Sequence, residues 1–220
     1  MLAISVTSHS FNSDFLKSAI SLLLSRHQHI LVLIVDELMV YNRFQLPRGG
    51  ADTSPILAQY RGDRERQLEK ILATLDHGRR VQIGNYEDFC DYRYVRILRR
   101  LMLLAIENSK ILGRLKDISR NYVMKFDDQP REFRDSSRLI RSLLFLLDET
   151  AWTMNLAAHY GVTDNYYPGD VGEVLKAFYC NEAAVNIFDV LDIAPHAHRF
   201  WRLNRTDESL EPELMWQAGA

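Results

Sequence analysis

The sequence is short of the residues that build metal and redox centres. Its 220 residues hold only two cysteines, Cys90 and Cys180, far apart and without the spacing of a zinc knuckle or a dithiol. Both are expected to be reduced and structural. There is no G-x-G-x-x-G fingerprint, no P-loop and no H-E-x-x-H helix, so the usual sequence signs of a nucleotide or metal cofactor are missing. No cofactor and no metal is expected. The longest apolar run, around ILVLIV, falls well short of the roughly 20 residues that cross a bilayer, and no membrane association is expected. The chain opens at once on a strand-like segment, which leaves no room for a signal peptide and points to a cytoplasmic location. Repeats, low-complexity tracts and heptad arrays are also missing. Neither sign of charge dominates: 27 Lys and Arg against 29 Asp and Glu give a net charge of -2. That excludes a protein coated in positive charge for general nucleic-acid binding, but not one with local basic stripes.

What remains is the composition of one globular domain, 47% hydrophobic and 25% charged. Residues 2–6 (LAISV) read as a short buried strand, followed by the polar turn SHSFNS. A helix from about Asp14 to His27 is predicted, because Phe15, Ala19, Leu22 and Leu23 share one face and Asn12 or Ser13 can cap it. The continuous run HILVLIVD fits a central parallel strand covered on both faces. These elements make a β-α-β unit with Asp36 at the end of its second strand, on the same sheet edge as Ser5. Residues 45–57 read as a mobile loop over a site. A helix at about 63–76 and a strand in HGRRVQIG follow. Helical pattern then runs from Tyr86 to about Lys125 with a break near Asp91, and again from Pro130 to about Met154. YGVTDNYYPGD reads as a turn-rich strand or loop, 171–190 as helical, and 206–220 as a frayed tail. The order of elements predicts an α/β fold with a mostly parallel sheet flanked by helices.

Four groups of residues could carry chemistry. Ser5 is a hydroxyl at the end of the first strand, where an open α/β sheet places its reactive groups. It reads either as a locally bonded serine or as a nucleophile, with Thr7, Ser8 and Ser10 competing for the role. Phe145 and Glu149 lie four residues apart, on one face of a helix. Asp148 and Glu149 could be that helix's solvated end. The apolar pattern continues beyond them through Ala151, Trp152, Met154 and Leu156, however, and a carboxylate inside such a stripe needs a partner. A ligand ammonium would serve. Tyr166, Tyr167, Pro168 and Gly169 form either an ordinary turn or a phenol donating into a pocket. Arg93, Arg96, Arg99 and Arg100 recur at helical spacing, as do Arg131, Arg134, Arg138 and Arg141. Each set is either a solvated face or a track for phosphates. Arg134, Arg138, Arg141, Phe145 and Glu149 share one helical face, which would lead a phosphate-bearing chain to the carboxylate.

Taken in order, these segments resemble the tRNA-dependent cyclodipeptide synthases, and in particular their subgroup marked by a Tyr-Pro pair. AISVTS is similar to the family's strand-end motif, VDELMVYN to its segment after the second strand, and Gly62-Asp63 to its helix start. SLLFLLDE is similar to the helix bearing a tyrosine and then a glutamate, and Tyr167-Pro168 to the defining pair. The resemblance implies a single Rossmann-like domain over residues 1–205, related to the catalytic domains of class I tyrosyl- and tryptophanyl-tRNA synthetases and monomeric. It implies a transferase that joins two aminoacyl groups, taken from two aminoacyl-tRNA substrates, into a diketopiperazine. Ser5 would be the nucleophile, Glu149 the holder of the ammonium and Tyr167 an orienting or proton-transferring phenol. Phe145, Pro168 and Asp36 would line the substrate site, and Arg93, Arg96, Arg99, Arg100, Arg134, Arg138 and Arg141 would contact tRNA. Two departures stand out: Ala3 replaces a common glycine, and Phe145 replaces the tyrosine that helps to hold the amino group. A ligase releasing a linear amide and a catalytically silent tRNA-binding protein are the alternatives.

Overall fold

The computed structural model describes residues 1–5, 10–35, 54–124, 136–168, 173–179, 186–206 and 209–218. Six strands, β1 (Leu2–Ser5), β2 (Ile30–Val35), β3 (Val81–Asn85), β4 (Asp164–Tyr167), β5 (His198–Arg205) and β6 (Leu210–Ala218), form one sheet in the order β3-β2-β1-β4-β5-β6. All neighbours pair in parallel except β5 and β6. The mostly parallel α/β domain read from the sequence is therefore what the chain forms.

Side chains alternate between the two faces of each strand. Leu2 and Ile4 of β1, with Val32 and Ile34 of β2, are fully buried against α1 (Ser13–Arg26) and α2 (Ser54–Leu72). Leu33 of β2 faces the other way, into a cluster supplied by α3 (Tyr92–Glu107), α4 (Ser109–Met124), α5 (Ser136–Tyr160), α6 (Glu173–Tyr179) and α7 (Ile187–Leu191). Both faces of β2 are covered, which is why its sequence shows no polar alternation. Helix α1 starts where its cap was expected: the Asn12 side chain accepts the Phe15 N–H at 2.9 Å. Its other end is closed by Arg80, which donates to the carbonyls of Leu24, His27 and Gln28. The break near Asp91 is real. Its carboxylate accepts the Arg93 and Tyr94 N–H groups at 3.0 Å each and so begins α3, after a short 3-10 turn at Tyr86–Phe89.

Several boundaries differ from expectation, among them a second break in the helical stretch after Tyr86, at Asn108 between α3 and α4. Residues 210–218, read as part of a frayed tail, form β6. Its exposed middle, with Glu211, Pro212 and Glu213, hides the strand signal and suits a sheet edge. Residues 54–57, read as loop, are the first turn of α2, where Pro55 gives up no helical hydrogen bond; residues 45–53 and Pro130 lie outside the described residues. Helix α5 runs on to Tyr160 rather than stopping near Met154. The helical stretch at 171–190 contains two short helices, α6 and α7, rather than one.

Gly84 is held between β2 and the 3-10 turn: a β-carbon there would sit 3.0 Å from Phe89 Cε2 and 3.2 Å from Leu33 Cδ2. Gly84→Ala should cost about 1–3 kcal/mol by urea denaturation. Wild-type stability would show instead that the turn can shift away freely.

Candidate active site

The order β3-β2-β1-β4-β5-β6 means that the chain leaves β1 toward β2 on one side and arrives at β4 on the other. The carboxyl ends of β1 and β4 therefore flank the topological switch point, where open α/β sheets bind their ligands. Ser5 is the last residue of β1 and Tyr167 the last of β4. Ser5 is half-buried, and the alternation along β1 sets it on the face opposite Leu2 and Ile4, the face covered by α5. Tyr167 is also half-buried, and its ring meets the fully buried Phe11 edge-on at 5.6 Å. Pro168 follows directly and ends the strand.

Phe145 and Glu149 lie on α5, on the same side of the sheet as Ser5. Phe145 is 8% exposed and belongs to the core cluster on that face. Burial, with the Asp148 carboxylate adding to it, pushes the Glu149 carboxyl up to about 7. Asp148 is no solvated helix end. It is 5% exposed and accepts hydrogen bonds from the hydroxyls of Tyr86 and Tyr94. Burial first, then Asp148, pushes both phenols above their usual range, so they stay protonated and able to donate. Neither tyrosine was picked out from the sequence. The only sign was the one already present in FLLDETAW, a carboxylate embedded in an apolar stripe. What it failed to show is that Asp148 satisfies that demand within the protein.

The arginine stripe on α3 is partly engaged internally. Arg93 pairs with its helix cap Asp91 at 2.5 Å and lies over the Tyr160 ring. Arg96 pairs with Asp192, and Arg100 lies 3.9 Å from the same carboxylate. Arg99 on α3 and Arg141 on α5 are exposed. Asp36, Arg131, Arg134, Thr7 and Ser8 lie outside the described residues, as does the Arg138 side chain. Among the described residues no group of three or more His, Cys, Asp or Glu side chains could hold a metal ion, and no helix is long and apolar enough to cross a membrane.

A cavity of about 470 Å³ opens at the opposite, amino-terminal edge of the sheet, lined by His27, Arg80, Asp164 and Tyr166 among others. Four of its polar side chains are committed to the fold. His27 Nε2 and the Tyr166 hydroxyl lie 2.8 Å apart, Arg80 closes α1, and Asp164 accepts from Arg199 and Trp201 at 2.6 and 2.8 Å. The carboxyl edge, at the switch point, is the better candidate.

The strand order defines a Rossmann-type α/β domain whose two switch-point strands end at Ser5 and Tyr167, with the Tyr167 ring packed toward the α1 and α2 side and Glu149 carried by α5 on the other. No protein-family model matches the chain, and no curated protein matches it in sequence. Solved structures do share its fold. A cyclodipeptide synthase from Fluoribacter dumoffii superposes with a TM-score of 0.67 at 13% identity, over 81% of this chain and 79% of that one. A Mycobacterium tuberculosis protein gives 0.66 at 12% identity, over 81% and 75%; its structure is described as demonstrating that cyclodipeptide synthetases are related to type I tRNA synthetases. The cyclodipeptide synthase AlbC from Streptomyces noursei gives 0.57 at 17% identity, over 76% and 80%.

Glu149 makes a measurable demand on stability. Its carboxyl binds a proton more tightly folded than unfolded, so the penalty is absent below the ordinary glutamate value of 4.5, grows as pH rises, and is complete above about 7. Glu149→Gln should therefore stabilise the protein above neutrality, by at most about 3 kcal/mol, and lose that advantage in acid. Equal stability of the two proteins at every pH would contradict the shifted carboxyl.

Proposed function

We propose that the protein is a cyclodipeptide synthase, joining two aminoacyl groups from aminoacyl-tRNAs into a 2,5-diketopiperazine through a serine ester. The observation that carries the reading is the position of Ser5, the last residue of β1 at the switch point, on the face that α5 covers, with the neighbouring strand β4 ending at Tyr167. The fold shared with cyclodipeptide synthases supports it. So does the resemblance of the Ser5, Phe145–Glu149 and Tyr167-Pro168 segments to that family's motifs, with the Tyr-Pro subgroup the closest in pattern.

In this mechanism Ser5 Oγ attacks the ester carbonyl of the first aminoacyl-tRNA. The C–O bond to tRNA breaks, and the tRNA hydroxyl leaves with the serine proton. The amine of the seryl-bound residue then attacks the carbonyl of a second aminoacyl-tRNA, releasing that tRNA and leaving a dipeptide on Ser5. Finally the free amine of the dipeptide attacks the Ser5 ester, closing the ring and regenerating the hydroxyl. Both amino acids arrive already activated, so the reaction needs no nucleotide. Glu149 holds the ammonium of the first aminoacyl group by a charge-assisted hydrogen bond. A carboxyl pushed up to about 7 by burial is suited to this, since the arriving cation replaces the proton. Tyr167 orients the dipeptide or assists proton transfer during cyclisation. Phe145 supplies a wall but no hydroxyl, which leaves more of the amine recognition to Glu149. Exposed arginines such as Arg99 and Arg141 contact tRNA phosphates, with Arg134 and Arg138 extending the track; Arg93, Arg96 and Arg100, which are held by Asp91 and Asp192, join it only by leaving those carboxylates, and two tRNA molecules bind in turn to a monomer. The enzyme acts in the cytoplasm, where charged tRNA is found.

Bacteria expressing the wild type should release a cyclic dipeptide, detected by mass spectrometry of the medium, and Ser5→Ala should abolish it. A linear amide that depends on Ser5 would point to the ligase. No product from a protein that still retards tRNA would point to the silent binder.

A further inference from the structure

We propose that Asp148, gripped by the hydroxyls of Tyr86 and Tyr94, is a positioning residue for Glu149. The grip fixes the turn of α5 that presents Glu149 and sets a second carboxylate beside it, so that the pair receives a cation more tightly than Glu149 would alone. The inference rests on the reading of Glu149 as the holder of the aminoacyl ammonium.

The grip is one end of a longer line of hydrogen bonds. Trp152 Nε1 donates to the Tyr86 carbonyl at 3.2 Å, Asn155 Nδ2 to the Phe89 carbonyl at 3.0 Å, and the Tyr160 hydroxyl to Asp91 at 3.1 Å. Asp148, Trp152 and Asn155 are four and three residues apart, so they form one stripe of the helix. Every partner comes from the short stretch between Tyr86 and Tyr94, which begins directly at the carboxyl end of β3. The stripe thus sets the rotation and height of α5 against the carboxyl edge of the sheet. Ordinary packing of Leu and Phe side chains would allow the helix to rotate by small amounts. Directional bonds to one buried stripe do not. Asp148 stands at the upper end of this line, one residue from Glu149 and three from Phe145.

The charged surroundings leave Asp148 as the described neighbour whose charge acts on Glu149. The 3-10 turn and α3 bring Tyr86 and Tyr94 to Asp148, and of the arginines of α3, Arg93 is turned to Asp91, Arg96 and Arg100 to Asp192, and Arg99 is exposed. Helix α4 buries Ile111, Leu115 and Ser119 and keeps its charged residues exposed, while α6 buries Tyr179 and exposes Lys176. The fold therefore places a carboxylate held by two donors one residue from one raised toward neutrality.

The test uses the full chain without tRNA, labelled with 13C at the glutamate carboxyls, with Glu149→Gln identifying the Glu149 signal. Wild-type Glu149 should half-titrate near 7. Asp148→Asn should move that midpoint down by about one pH unit, and Asp148→Glu, which keeps the charge, should hold it near the wild-type value. A purely structural Asp148 gives the opposite order, with the isosteric amide harmless and the longer acid disruptive. An unchanged midpoint in Asp148→Asn overturns the proposal. If that variant does not fold, Asp148→Ser carries the same measurement: it removes the charge and keeps an oxygen to accept from the phenols, so the Glu149 midpoint must again fall, and no shift overturns the proposal. The titration is independent of product formation: a wild type that makes no diketopiperazine would sink the functional reading and leave this result standing.

Discussion

Everything at the candidate site depends on the burial of one four-residue strand. β1 lies between β2 and β4 with Leu2 and Ile4 fully buried on one face. Full burial of such a side chain is worth about 1.5–3 kcal/mol, so a slip of one residue, which would take both out of that core and turn Ser5 into it, is strongly disfavoured. The register is therefore set by the apolar residues, and the position of the hydroxyl follows from it. Because β1 sits where the strand order reverses, the same constraint brings Ser5 to the crevice between β1 and β4. Tyr167 and Pro168 close the neighbouring strand, with the Tyr167 ring packed against Phe11.

The α5 face of the sheet is organised by polar groups as much as by apolar ones. Asp148 is satisfied by two phenols, Trp152 and Asn155 by backbone carbonyls, and the helix is thereby keyed to the segment that follows β3. Glu149 stands apart from this. Its raised carboxyl marks a group whose charge the folded protein does not favour. A core selected for stability alone would carry an amide or an apolar residue there. A carboxyl kept in such a place is consistent with a site completed by a positively charged ligand.

Much of the architecture was legible because the relevant signals were local. The run ILVLIV fits a strand covered on both faces, Asn12 lies where a helix cap is needed, and Asp91 interrupts the helical pattern where a cap begins α3. The edge strand β6 was not legible, since its middle is exposed and carries Glu211, Pro212 and Glu213, residues that also describe a tail. The site was legible in part. Ser5 could be placed because a strand end is a local feature. Asp148 was read together with Glu149 because the two are adjacent in sequence, but they differ in a way set by Tyr86 and Tyr94, more than fifty residues away. The arginines of α3 show the same limit. Arg96 and Arg100 look like a free basic stripe until Asp192, about ninety residues distant, is brought against them.

The central claim is that Ser5 forms an ester with an amino acid delivered by tRNA. The most direct measurement is to incubate the purified protein with aminoacyl-tRNA charged with radiolabelled amino acids, quench in acid, and map the label by proteolysis and mass spectrometry. The account predicts a base-labile aminoacyl group on the peptide that contains Ser5. A protein that stays unlabelled across all the aminoacyl-tRNAs, or one labelled on another residue, would contradict it.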